Sequence, residues 1–189
     1  MKLTLLTGAA FLLLTVIFSL YYRSNNDAAE AVISAYAELA ETVSDEDGSL
    51  SYMGIVKNNL YACALCVGLG FVPFLFLTAW PVLSNSMVIG AVLGYGSFSG
   101  AFSVVKIVVF GLLPHGLFEL PAVFLSMAMG LYLCRTVSRR IIGRAGAEKI
   151  LPVLNGIAKA FVLVVIPLLV IAAAVECFVT PRLLANMMN

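Results

Sequence analysis

The segment Val153–Phe178, VLNGIAKAFVLVVIPLLVIAAAVECF, decides the fold class of this chain. Its central part, Ala160–Val175, has no polar side chain, and the whole segment carries only two charged residues, Lys159 and Glu176. An α-helix rises about 1.5 Å per residue, so about 20 apolar residues cross the roughly 30 Å hydrocarbon core of a bilayer. The segment therefore predicts a transmembrane helix.

Four further segments toward the N-terminus pass the same length test: Leu3–Tyr22, Asn58–Ala79, Met87–Val105 and His115–Cys134. The composition agrees, because 62% of the residues are hydrophobic and 11% are charged, whereas a soluble domain averages about 25% charged residues. We therefore expect an all-α fold, a polytopic bundle of about five transmembrane helices whose solvent is the lipid bilayer. The first helix, residues 1–22, is predicted to be a retained signal-anchor, because its apolar run is long and no A-x-A cleavage site precedes Arg23.

The distribution of basic residues predicts the orientation of the bundle. One loop, residues 135–152, holds most of the bases of the second half of the chain: Arg135, Arg139, Arg140, Arg144 and Lys149. Because lysine and arginine stay on the cytoplasmic side of a membrane, this loop is predicted to be cytoplasmic. We therefore expect a multi-pass plasma membrane protein with a cytoplasmic N-terminus and an external C-terminal tail, residues 182–189. A single basic loop beside a span follows from topology alone, so no nucleic-acid partner is expected.

The segment 23–57 is predicted to lie outside the membrane, ahead of the bundle formed by residues 58–181. It contains seven acids and no base between its two ends: Asp27, Glu30, Glu38, Glu41, Asp45, Glu46 and Asp47. Within it, residues 26–44 place four apolar side chains at helical spacing, which predicts an external amphipathic helix: Val32, Tyr36, Leu39 and Val43. Such a helix either covers the end of the bundle or docks an extracytoplasmic protein partner.

A few polar residues interrupt the predicted spans. His115 and Glu119 stand four residues apart, so they share one helix face, and Glu176 lies near the end of the last span. Asn58 and Asn59 open the second span. Under the predicted topology these five residues have a similar depth toward the outer side. Because polar groups in lipid are costly unless they find partners, we expect them to form one polar cluster.

This cluster has three interpretations. The preferred one is a structural hydrogen-bond network between helices, with no metal and no cofactor. The second is an ion or small-solute pathway of a transporter or channel, which requires polar residues through the full depth, whereas the inner half offers mainly Ser84, Asn85 and Ser86. The third is an intramembrane metalloenzyme whose metal is held by His115, Glu119 and Glu176, although the chain has no HExxH motif.

Small residues predict close packing between helices. Gly90-x-x-x-Gly94 forms a face on which another helix can approach closely, within the chain or in a homo-oligomer. Gly130 continues the His115–Glu119 face further along the same helix. The pair Cys63-x-x-Cys66 lies within a lipid span without bases nearby, so we interpret it as packing rather than as a redox or zinc motif.

The ten residues Leu113–Ala122, LPHGLFELPA, resemble the PHG-x-x-E-x-x-A signature of the stage II sporulation protein M family. The resemblance extends from about Ile55 to Pro181, through the asparagine pair 58–59, Asn85, Gly130 and the segment Val175–Pro181. It implies a five-span membrane protein with few soluble parts and no established catalytic residues. In spore-forming organisms the family's namesake anchors a cell-wall-remodelling complex that is used in engulfment.

The resemblance and the acidic external segment together lead to a functional expectation. We expect an integral membrane scaffold, not an enzyme, that recruits membrane or extracytoplasmic partners such as cell-wall-remodelling enzymes. The alternatives are the transporter or channel and the intramembrane metalloenzyme described above.

Overall fold

The computed structural model describes residues 2–41, 51–99, 106–144, 146 and 148–188, and all regular elements within these ranges are helical. The α-helices in chain order are α1 (Lys2–Arg23), α2 (Asn26–Glu41), α3 (Tyr52–Gly68), α4 (Trp80–Ser99), α5 (Leu113–Ile141), α6 (Ile150–Ala160), α7 (Ile166–Phe178) and α8 (Thr180–Met188). Short 3₁₀ turns occupy Leu69–Phe71 and Leu77–Ala79, and π-helical turns occupy Ile107–Leu112 and Phe161–Val165.

Five helical segments among the described residues are long and apolar enough to cross a membrane: Lys2–Arg23, Tyr52–Phe71, Leu77–Gly96, Val108–Ile141 and Ile150–Leu183. The fourth combines a π-helical turn with α5, and the fifth combines α6, a π-helical turn, α7 and the start of α8. The predicted fold class, an all-α membrane bundle with five spans, is confirmed. The large apolar side chains left exposed on these segments are those that the bilayer covers.

The chain reverses direction at residues 72–76, which corrects the predicted span 58–79 and the turn expected after it at residues 80–86. Pro73 lacks an N–H group and cannot continue a helix. Phe74 and Phe76 adopt positive φ angles of 67° and 49°, which few residues other than glycine accept. Hydropathy did not reveal this turn, because its aromatic side chains are as apolar as the neighbouring spans.

The end of α5 holds this turn in place. Ser138 Oγ accepts a hydrogen bond of 3.0 Å from the backbone N–H of Phe74. One turn earlier, the Cys134 thiol donates to the carbonyl oxygen of Val72 over 3.3 Å. Two successive turns of α5 therefore fix the residues that connect α3 to α4.

Three other predicted boundaries also move. Helix α5 continues to Ile141, so Arg135, Arg139 and Arg140 lie on the helix rather than in the predicted loop 135–152. Basic side chains are favourable at a helix C-terminus, where they face the negative end of the helix dipole. The predicted tail 182–189 is largely helical, within α8. The span predicted at 87–105 begins earlier, at Leu77, and residues 100–105 lie outside the described part.

Both π-helical turns lie directly before a proline near the start of an α-helix. Ile107–Leu112 precedes Pro114, and Phe161–Val165 precedes Pro167. A proline removes one backbone donor, and its ring clashes with the carbonyl four residues before it. The wider π turn accommodates that clash without breaking the span, and such turns are frequent at functional sites.

The glycines of α4 bring it against α1. A Cβ atom added to Gly90 would collide with Phe18, and one added to Gly94 would meet Ser19 and Tyr22. Because the higher-numbered glycine meets the higher-numbered partners, the two helices run parallel. The Gly90-x-x-x-Gly94 face is therefore used within the chain.

A second close approach joins α5 to the segment that contains α3. A Cβ on Gly130 would collide with the carbonyl oxygen of Cys66, and one on Gly70 would lie 2.5 Å from the carbonyl oxygen of Gly130. Cys63 and Cys66 are fully buried, free thiols in the same core. The main core extends from there to Leu133 and to Leu169 of α7, so α5 lies at the centre of the bundle.

Helix α2 folds back along the flank of α4. The Tyr95 hydroxyl donates a 2.8 Å hydrogen bond to the carboxylate of Glu30. Ala29 is fully buried against Ala91, and further along α2 the side chain of Val32 joins the same apolar cluster as Met87. Along α2, the contacts with α4 therefore move from Tyr95, near the end of α4, to Met87, closer to its middle. The final residues of the predicted amphipathic helix, 42–44, and the acids at 45–47 lie outside the described residues.

Candidate functional site

A cavity of about 250 Å³ lies inside the bundle, and helices α1 to α5 and α7 all contribute to its lining. We call it the polar pocket, after the seven polar side chains on its wall: Tyr36, Asn58, Asn59, Asn85, His115, Glu119 and Glu176. Apolar residues such as Phe11, Val88 and Val123 form the rest of the wall. All five residues that the sequence placed in a polar cluster therefore line one cavity.

His115, Glu119 and Glu176 form the centre of the polar pocket. Each offers one ligand atom, and these three atoms lie within 4.8 Å of one another. Helical spacing on α5 aligns His115 with Glu119. Helix α7 brings Glu176 to them, and the ring of Phe178 near its end stacks on Tyr52 at the start of α3, with centroids 6.0 Å apart.

These three side chains lie close together but do not satisfy one another. The Nδ1 atom of His115 is buried and has no hydrogen-bond partner. Among the described residues, no hydrogen bond or ion pair connects His115, Glu119 and Glu176. An unpaired buried polar atom costs about 1–3 kcal/mol. The geometry thus differs from the mutually satisfied network that we preferred from the sequence.

The asparagines differ in their availability. Asn58 is exposed, whereas Asn59 and Asn85 are half-buried. Asn85 donates its side-chain amide to the carbonyl oxygen of Pro81 over 2.8 Å, which leaves its Oδ1 atom as an acceptor for a ligand. The predicted spans 58–79 and 87–105 leave Asn85 in the inner turn between them. If the turn is assigned to Pro73 instead, Asn85 falls inside the next span.

Tyr36 of α2 is the second pocket residue that the sequence analysis did not assign to the site. It keeps 48% of its surface exposed and forms the open edge of the pocket. Desolvation raises the pKa of its hydroxyl, and the nearby carboxyl groups of Glu119 and Glu176 raise it further. The helical period had assigned Tyr36 to the apolar face of α2, which is correct, but the pattern does not reveal what that face covers.

The polar pocket lies deeper in the bundle than the sequence suggested. Phe11, which lines it, is near the middle of α1. The span containing His115 and Glu119 begins at Val108 rather than at His115. Glu119 therefore lies about 16 Å from the start of its span rather than near its entrance.

A second cavity, of about 500 Å³, adjoins the polar pocket between α2, α3 and α4. The two cavities share Glu119, Tyr36 and all three asparagines. The second cavity is lined further by Ser84, by Tyr61 and by apolar side chains that include Leu65 and Trp80. The second cavity thus adjoins the polar pocket and reaches the first turns of α4.

Comparison with known proteins places these features in a family. No curated protein and no solved structure was found to match the chain. The family model described as Stage II sporulation protein M matches residues 4–181, a range that contains every residue of the polar pocket. This match covers nearly the whole chain and agrees with the resemblance of the segment Leu113–Ala122. The chain therefore belongs to the stage II sporulation protein M family.

Proposed function

We propose that this membrane protein is a transporter that binds a small cation in the polar pocket and moves it across the bilayer. The observation that carries the proposal is the meeting of His115, Glu119 and Glu176 in one cavity without partners among the described residues. Ionisable side chains within a membrane are costly, and they typically mark ion or proton pathways. Two carboxyl groups beside an imidazole favour a positively charged ligand.

The adjoining cavity supports a path for that ligand. Polar pathways need groups beyond a single site, and the sequence offered few of them in the inner half. Asn85 and Ser84 line the second cavity together with Glu119, so polar side chains continue toward the start of α4. Tyr36 lines both cavities, and we expect its side chain to restrict passage between them.

The proposal does not include catalysis. Catalysis by a side-chain nucleophile requires that nucleophile within hydrogen-bonding distance of a base. His115, the single histidine of the chain, has no such partner at its buried Nδ1 among the described residues. We therefore favour binding and transport over catalysis by a side-chain nucleophile.

A flux assay tests the proposed transport. Full-length protein is reconstituted into liposomes that contain a proton- or cation-sensitive dye, and cation gradients are applied from outside. We expect flux with the wild type, none with Glu119→Gln, and unchanged flux with the matched variant Glu38→Gln, whose carboxylate is exposed on α2. Absence of flux from the wild type for protons and all cations tested would reject the proposal.

The acidic surface of α2 supports a second candidate, a scaffold that docks an extracytoplasmic partner. Asp27 and Glu38 are exposed, while Ala29 on the opposite face packs on α4. Family membership favours the same role, in which the partner is a cell-wall-remodelling enzyme. Pull-down in mild detergent with Asp27→Asn and Glu38→Gln combined should recover less partner than the wild type. Equal recovery of the same partners would reject the docking role of this face.

A further inference from the structure

We propose that His115, Glu119 and Glu176 form a binding site for one divalent first-row transition metal ion. This inference deepens the proposed function and rests on it in one respect, because it names the chemical class of the transported cation. The binding site itself does not depend on transport. It therefore has its own test.

The spacing of the three side chains suits one ion. Ligand atoms around a tetrahedral ion with bonds of about 2.0–2.2 Å lie about 3.4 Å apart. The donor atoms of the three residues already lie within 4.8 Å of one another. Binding therefore requires these half-buried side chains to move closer together. Because α5 supplies two ligands and α7 the third, the ion would also join two spans.

A second observation points independently to a missing partner. The Nδ1 atom of His115 is buried from solvent and makes no hydrogen bond within the described part of the chain. A buried nitrogen of this kind normally has a partner, because leaving it unpaired is costly. A metal ion bound at Nδ1 would provide that partner for a neutral imidazole. Its position on the wall of the polar pocket leaves space for water or an exchanging ligand at the remaining coordination sites.

The donor set selects the class of metal. Imidazole nitrogen binds Zn²⁺, Fe²⁺ and similar ions well, whereas Mg²⁺ and Ca²⁺ prefer shells made of oxygen alone. Two carboxylates with one imidazole balance the charge of a divalent ion. Among the described residues, no cysteine lines the polar pocket, and Cys63 and Cys66 lie in the packed core. A soft monovalent ion such as Cu⁺ is therefore disfavoured.

Cobalt binding gives a direct test. Full-length protein in detergent is freed of metal with a chelator, which is then removed, and is titrated with Co²⁺, whose visible absorption reports coordination by nitrogen and oxygen. We expect one Co²⁺ per chain, displaced by Zn²⁺ and not by Mg²⁺. His115→Gln and Glu176→Gln should each weaken Co²⁺ binding by more than about tenfold, since even removing an outer-shell partner costs about 10–100-fold. The control Glu38→Gln should bind as the wild type.

Thermal unfolding of each variant separates loss of the site from loss of the fold. Using two variants on different helices keeps the test decisive if one of them misfolds. Failure of the wild type to bind Co²⁺, or undiminished binding by both well-folded variants, would overturn the metal site.

Flux measured with chelator present distinguishes the two proposals. Proton or alkali-cation flux that Glu119→Gln abolishes, in a protein that binds no Co²⁺, would overturn the metal site and leave transport standing. Specific Co²⁺ binding without flux of any cation would support the site and overturn transport.

Discussion

Glu119 lies at the centre of the polar pocket, where its carboxyl group has no hydrogen-bond or ion-pair partner among the described residues. It faces a second carboxyl group, Glu176, and an unpaired imidazole. If the site served only to hold helices together, these groups would pair with one another. They remain unpaired among the described residues. The absence of such pairing supports the proposed cation site.

Two substitutions of Glu119 separate these explanations. Glu119→Gln keeps the shape and should change the free energy of unfolding little, because Glu119 makes no hydrogen bond to another described residue. Glu119→Leu should not destabilise the protein further, because it removes a buried polar group that has no partner. Both variants should lose cation-dependent function. Thermal unfolding and flux are measured side by side, and a marked loss of stability in Glu119→Leu alone would instead indicate a structural network.

At the scale of helices, small residues decide which faces meet. Gly130 allows the backbone of α5 to touch the turn after α3, and Gly90 and Gly94 do the same for α1 and α4. The bilayer provides no hydrophobic driving force between spans, so this close contact supplies much of their association. The positions of the ligating side chains depend on it.

Gly130→Ala should therefore destabilise the bundle by about 1–3 kcal/mol, the usual cost of overpacking. The added methyl group would meet the carbonyl oxygen of Cys66, which cannot move without shifting α3. Gly156→Ala is the matched control, since a Cβ there meets nothing within 4 Å. Melting temperature and monodispersity in detergent provide the measurement. Equal stability of the two variants would show that the close approach is not required.

Helix α2 has a different role, because it covers the pocket rather than supporting it. Ala29 is fully buried where α2 meets Ala91. Ala29→Leu should push α2 away from α4 and expose the side on which Tyr36 stands. We expect faster hydrogen exchange across residues 26–41 and little change within α5. Ala37→Leu, at an exposed position of α2, is the control, and similar exchange in both variants would contradict the covering role.

At the scale of the whole molecule, the parallel packing of α1 and α4 is what a five-span topology requires for its first and third spans. The absolute orientation stays a prediction from the basic residues, with the N-terminus in the cytoplasm. It determines whether the acidic face of α2 meets external partners. It also determines on which side the second cavity opens.

Cysteine labelling in intact cells tests the orientation. In a background with Cys177→Ser, an impermeant thiol reagent applied from outside should label Asp27→Cys and not Arg144→Cys, both at exposed positions. Permeabilised cells serve as the control, in which both variants should react. Labelling of Arg144→Cys in intact cells would reverse the topology and exclude an extracytoplasmic partner for α2.

The sequence by itself determined the class of the fold, the five spans and the family. Each follows from local properties: transfer of an apolar run into lipid depends on its length and composition, and the PHG segment is contiguous. The sequence also predicted that His115 and Glu119 share one helix face, because helical spacing is a local property. The prediction that the span 58–79 continues through residues 72–76 was wrong, because the aromatic residues of this turn are as apolar as a span.

Only the tertiary structure decided which side chains meet. Tyr36 and Asn85 join the polar pocket because α2 folds back along α4 and because the turn lies earlier than hydropathy indicated. The glycine face of α4 is used within the chain because α1 approaches it. Such contacts join residues far apart in sequence, and their free energy depends on packing between surfaces that no single segment contains.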